Sequence, residues 1–73
     1  MTREELLKRF GREEFFLKNK RQDMVFRVSV GQTVVYFARP KGEDEFKIKS
    51  DDEDLRQAIE AQAEISKEEY FDF

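Results

Sequence analysis

Residues 24–38 hold the pattern that most restricts how this chain can fold. Met24-Val25-Phe26-Arg27-Val28-Ser29-Val30 places apolar β-formers at alternate positions, Gly31-Gln32 follows, and Thr33-Val34-Val35-Tyr36-Phe37-Ala38 resumes the same composition. Alternation is the strand period, and glycine at the first central position suits a tight type II′ turn, so the segment predicts an antiparallel hairpin. Pairing Val30 with Thr33 would set Val28 opposite Val35 and Phe26 opposite Phe37, sharing a core face with Met24. The other face would then carry Val25, Arg27, Ser29, Val34, Tyr36 and Ala38, a mixed surface available to a partner. Pro40-Lys41-Gly42-Glu43 reads as a turn, and Glu45-Phe46-Lys47-Ile48-Lys49 alternates again as a third strand. A four-residue loop sets Phe46 opposite Phe37 and Ile48 opposite Val35.

Helical signals flank this block. Thr2 with Glu5 forms a capping box, Leu6, Leu7 and Phe10 make an apolar stripe, and Gly11 is a natural stop, which predicts a helix over 3–10. Ser50 with Glu53 forms a second box, and the acids at 51–54 suit the positive end of a helix dipole. Leu55, Ala58, Ile59, Gln62 and Ala63 recur with helical spacing, predicting an amphipathic helix over 51–65. Ser66-Lys67-Glu68-Glu69 caps a further turn before Tyr70-Phe71-Asp72-Phe73. Between these elements, Phe15, Phe16 and Leu17 sit among charges and fit either a continued helix or an edge strand, of which an extended segment over 14–18 is favoured. The chain is therefore expected to be one α+β domain over 1–73. Its three-stranded antiparallel sheet packs against helices in the order α-β-β-β-α with a short C-terminal helical turn, and a fourth strand is added if 14–18 joins the sheet.

A domain of 73 residues buries only about 60% of the surface its unfolded chain exposes. With no Cys and no His, it has neither a disulfide nor a zinc site to support so small a core. Eight Phe and two Tyr take that role, each removing roughly 150–250 Å² from water when buried. The same absences remove the usual nucleophile and base of neutral-pH catalysis. Ser29, Ser50 and Ser66 have strand or capping positions, Gly11, Gly31 and Gly42 are isolated turn residues, and Asp51-Asp52-Glu53-Asp54 lacks calcium-loop spacing. A non-enzymatic protein without cofactor or metal is the expectation. The longest apolar run is Val34 to Ala38 and no leader pattern opens the chain, so a soluble, cytoplasmic protein without membrane contact is expected.

Charge is polarised along the chain. Residues 1–22 carry net +3, residues 23–49 net +1 and residues 50–73 net −7. The leading expectation is a protein-interaction module that binds a basic, nucleic-acid-binding protein surface through Asp51, Asp52, Asp54, Glu60, Glu64, Tyr70, Phe71 and Phe73. In size, charge and helix-and-sheet makeup the chain resembles the small acidic inhibitors encoded by phages, including some anti-CRISPR proteins. The end Glu68-Glu69-Tyr70-Phe71-Asp72-Phe73 resembles the acidic tails by which single-stranded-DNA-binding proteins recruit partners, although the Ile-Pro before their final Phe is missing; the competing reading is that Tyr70, Phe71 and Phe73 fold back over the sheet to enlarge a small core. The alternative is a small nucleic-acid-binding domain using Lys8, Arg9, Arg12, Lys18, Lys20 and Arg21, with Phe10, Phe15 and Phe16 among the charges for stacking. The element order resembles that of double-stranded-RNA-binding domains. Where that family places lysines at the start of its second helix, however, this chain has Ser50-Asp51-Asp52-Glu53-Asp54, which would repel phosphates. A third expectation is a self-contained structural domain, natural or engineered, that pairs with itself through Val25, Val34 and Tyr36.

Overall fold

The computed structural model describes residues 2–73. Thr2 accepts the Glu5 amide at 3.2 Å and opens α1 (Arg3–Phe10). Gly11 closes it in the left-handed conformation, φ 67°, where only glycine sits without strain, and returns its N–H to the Leu7 carbonyl. There follow β1 (Glu14–Asn19), β2 (Met24–Val30), β3 (Val34–Pro40), β4 (Phe46–Ile48), α2 (Glu53–Glu60), β5 (Glu64–Ile65) and α3 (Lys67–Asp72). The class is α+β with an antiparallel sheet, as the alternation implied. The sheet, however, has five strands in the order β4-β3-β2-β1-β5, not three or four. The 14–18 segment becomes β1, an interior strand, and β5 covers its outer edge through the pairs Phe16 with Ile65 and Leu17 with Glu64.

Why β1 is apolar at three consecutive positions follows from its place. Phe15 and Leu17 point to one face of the sheet, where α1 and α2 pack, and join Leu6, Phe26, Val28, Val30, Leu55, Ala58 and Ile59 in the main core. Phe10 stacks on Phe15 with ring centroids 4.0 Å apart. Phe16 points to the opposite face, where it meets Val25 and Tyr70 of α3. A strand buried on both faces reads as a continuous apolar run rather than an alternating one.

The hairpin register differs from the expected one by a single residue. Val30 pairs with Val34 rather than Thr33, and a three-residue turn, Gly31 to Thr33, replaces the two-residue turn. Because side chains alternate, this slip moves all of β3 to the other face. Tyr36 and Ala38 enter the main core, whereas Val35 and Phe37 lie on the α3 face. The charge on Arg39 supplies the reason. In the two-residue register Arg39 would point into the face packed by α1 and α2. In the observed one it lies with α3, where its guanidinium is 5.9 Å from the Tyr70 ring centroid. Ile48 and Phe46 follow, opposite Tyr36 and Ala38. At this edge Phe46 is 49% exposed, so it contributes little to the core assigned to it.

The acidic helix is shorter than its periodicity suggests. Asp52, not Ser50, is the N-cap and accepts the Leu55 amide at 3.0 Å. Gln62 adopts φ 50°, its N–H bonds to the Ile59 carbonyl, and the Ala63 N–H bonds to the Ala58 carbonyl. That pattern is a Schellman stop. Gln62 and Ala63 therefore leave the helical stripe, and the chain crosses the sheet edge as β5. Ser66 then caps α3 by accepting the Glu69 amide at 3.1 Å. Among the described residues, no helix is long and apolar enough to cross a membrane.

Candidate functional site

The eight residues assigned to an acidic partner surface fall on two faces of the sheet. Asp51, Asp52 and Asp54 surround the start of α2, Glu60 lies at its end, and Glu64 shares a sheet face with Leu17. Tyr70, Phe71 and Phe73 lie with α3 on the opposite face. No single flat partner meets both groups. Tyr70 needs a further correction, because its residue exposure is 0% and its ring packs on Phe16 and Val25. Phe71 remains 55% exposed, and half-buried Phe73 lies under the Lys18 ammonium, 5.1 Å from its ring centroid.

Tyr70 is held by a polar lattice that alternation alone does not disclose. Its hydroxyl donates to Glu45, which also accepts two bonds from Arg27, at 2.7 and 3.2 Å. Arg27 reaches Glu14 at 3.4 Å and stacks 4.2 Å from the Phe37 ring centroid. Arg39 donates to the Tyr70 carbonyl and to the Glu43 carbonyl. Hydrogen bonds from Arg27 hold the Glu45 carboxyl below the usual carboxylate range, against the opposing effect of burial, while Glu45 raises Arg27 in return. Burial, and then the bond to Glu45, pushes the Tyr70 phenol well above its ordinary value. These groups are committed to fastening α3.

On the α2 face the acids have a different status. Asp52 is consumed as the N-cap, and Glu64 pairs with Arg12 at 3.0 Å. Glu60 lies 3.9 Å from Arg56, a loose exposed pair. Among the described residues no cation comes within ion-pair distance of Asp51, Glu53 or Asp54. Asp51 and Glu60 line one cleft of about 290 Å³ together with Arg56, Ser50, Tyr36 and Ile59. Burial raises the Tyr36 phenol, so this wall of the cleft is neutral across the physiological range.

The basic residues are likewise dispersed. Lys8 and Arg9 ride on α1, which Arg3 ties to the Gly31 carbonyl at the far end of β2, whereas Lys20 and Arg21 occupy the turn between β1 and β2. Arg12 is paired and Lys18 engages Phe73. Phe15 and Phe16 are buried and half-buried Phe10 stacks on Phe15, so the three do not form an exposed platform for bases. The residues expected to form a homodimer patch are also divided: Val25 lies beneath α3, while Tyr36 is buried on the opposite face beside half-buried Val34. Among the described residues no three metal-ligating side chains converge.

Comparison with known proteins gives no match: no family model fits the chain, and no curated protein or solved structure is significantly similar to it.

Proposed function

We propose that this chain is a non-enzymatic interaction module that engages a basic protein surface through the α2 face. The observation supporting this reading is that Asp51 and Glu60 share one cleft, with the Tyr36 and Ile59 side chains also in its lining. Such a cleft suits a Lys or Arg side chain, whose aliphatic stem lies along apolar surface while its charged head meets carboxylates. Glu53 and Asp54 extend the negative field, which steers a basic partner into encounter. A partner whose cationic groove holds nucleic acid would be occluded by such a surface, which is how the module would act as an inhibitor.

The test measures association with an oligolysine peptide by fluorescence anisotropy at low and physiological ionic strength. The doubly reversed variant Asp51→Lys, Glu60→Lys should bind roughly tenfold more weakly, since each exposed pair contributes up to about 1 kcal/mol. Reversing Glu68 and Asp72, on the α3 side, should leave the affinity nearly unchanged. Equal losses in both variants would show a general charge effect and sink the assignment of the cleft.

A further inference from the structure

A second groove, of opposite sign, lies between the β1–β2 turn and the C-terminal end of α2. It has a volume of about 470 Å³ and is lined by Ala58, Ala61 and Ala63 together with Lys20, Arg21 and Gln57. Cations at a helix C-terminus commonly serve the helix itself, bonding its last carbonyls and offsetting its dipole. Here the Gln57, Ala58 and Ile59 carbonyls already accept from Ala61, Ala63 and Gln62. Among the described residues, moreover, no carboxylate comes within ion-pair distance of Lys20 or Arg21.

The remaining side-chain hydrogen-bonding capacity of the groove consists mainly of donors. Asn19, 5% exposed, donates through Nδ2 to the Asp54 carbonyl at 3.0 Å and to Gln57 Oε1 at 3.3 Å. With Oε1 engaged, the Gln57 amide has its NH₂ left to offer a ligand. The ammonium of Lys20 and the guanidinium of Arg21 are donors only. Among the described residues no aromatic side chain lines the groove, so it lacks the platform on which single-stranded nucleic acid stacks. Alanine methyls instead allow close approach of a peptide with small side chains.

From this combination we infer that the groove docks an acidic peptide segment of a partner protein, extended, with carboxylates alternating with small apolar residues. In such a segment one set of side chains meets the alanines while the other faces Lys20, Arg21 and Gln57. The inference is independent of the cleft beside Asp51 and concerns a separate surface.

The test uses the full chain and a labelled eight-residue peptide of alternating Glu and Ala, followed by fluorescence anisotropy at low ionic strength. An alternating Gln and Ala peptide and an eight-nucleotide oligothymidine serve as comparisons. The Glu peptide should bind more tightly than either. Its affinity should fall roughly tenfold in the variant Lys20→Glu, Arg21→Glu. Ala61→Gln, which adds bulk to the exposed part of the lining without changing charge, should weaken binding as well. The control Lys47→Glu, Lys49→Glu changes net charge equally at the opposite, β4 edge of the sheet and should retain binding, with circular dichroism confirming that each variant is folded. Absence of peptide binding, indifference to Lys20→Glu, Arg21→Glu, or an equal loss in the control overturns the proposal. Tighter binding of the oligothymidine through the same two residues also overturns it and identifies a nucleic-acid surface instead.

Discussion

Gln62 bears a local backbone strain that a single substitution relieves. Its φ of 50° lies where a side chain costs energy and glycine costs none, at the C′ position of the α2 stop. Gln62→Gly should stabilise the chain by about 0.5–1 kcal/mol, the relieved strain less the extra freedom glycine gives the unfolded chain. Urea denaturation measures the difference, and a destabilised variant would mean that the Gln62 side chain makes contributions outweighing the strain. Asn19 presents the opposite case. Its buried amide joins the β1–β2 turn to α2 through both Nδ2 bonds and accepts the Arg21 amide through Oδ1. Asn19→Ala should therefore cost about 1–3 kcal/mol, because the released groups lose partners in a part-buried site. Neither role was legible in the sequence. Gln62 and Ala63 continue the period of Leu55 and Ala58, so the stop carries no glycine to mark it, and Ser50 and Asp52 are both competent caps two positions apart.

At the scale of elements, patterning identified strands and helices far better than it identified which face each residue joins. Thr2, Glu5 and Gly11 placed α1 at its observed bounds, since a cap at each end leaves little freedom. In β3, Val34, Val35, Tyr36 and Phe37 are apolar on both faces, so hydrophobicity fits either register and the discriminating residue is Arg39. A similar ambiguity surrounds α3: Ser66 and Glu69 mark its helical turn, but its acidic, aromatic end reads equally as a free tail or as a helix covering a second core. Two substitutions separate those states by stability. Tyr70→Ala should cost about 3–5 kcal/mol, the range for emptying a fully buried aromatic site. Phe71→Ala, at a position 55% exposed, should cost less than about 1 kcal/mol. Similar small losses for both would mean that α3 is not docked in solution.

For the whole molecule, the polarity of the sequence does not become two opposed charged poles. Acids divide between α2 and α3 on opposite faces, cations divide between α1 and the β1–β2 turn, and Arg12 with Glu64 bridges the two halves at the sheet edge. Charge along a chain says little about charge on a surface once β5 carries the acidic end around the sheet. What the lattice on the α3 face does dictate is a stability optimum bounded on both sides. Glu45 titrates lower in the folded chain than in the unfolded one because Arg27 bonds its charged form. Its contribution is complete above the usual carboxylate value of about 4.3 and is lost as pH falls through its folded value. Tyr70 titrates higher when folded, so its contribution is complete below the usual phenol value of about 10 and is lost as pH rises through its folded value. Tyr36 acts in the same alkaline direction through burial alone. Thermal melts across pH should therefore show Glu45→Gln flattening the acid limb and Tyr70→Phe flattening the alkaline one. Tyr36→Phe should remove a separate, smaller part of the alkaline loss. If the Tyr70→Phe variant retained the parent's full alkaline fall, the phenol would be titrating as freely as in the unfolded chain, and α3 would not be held by the Glu45 lattice.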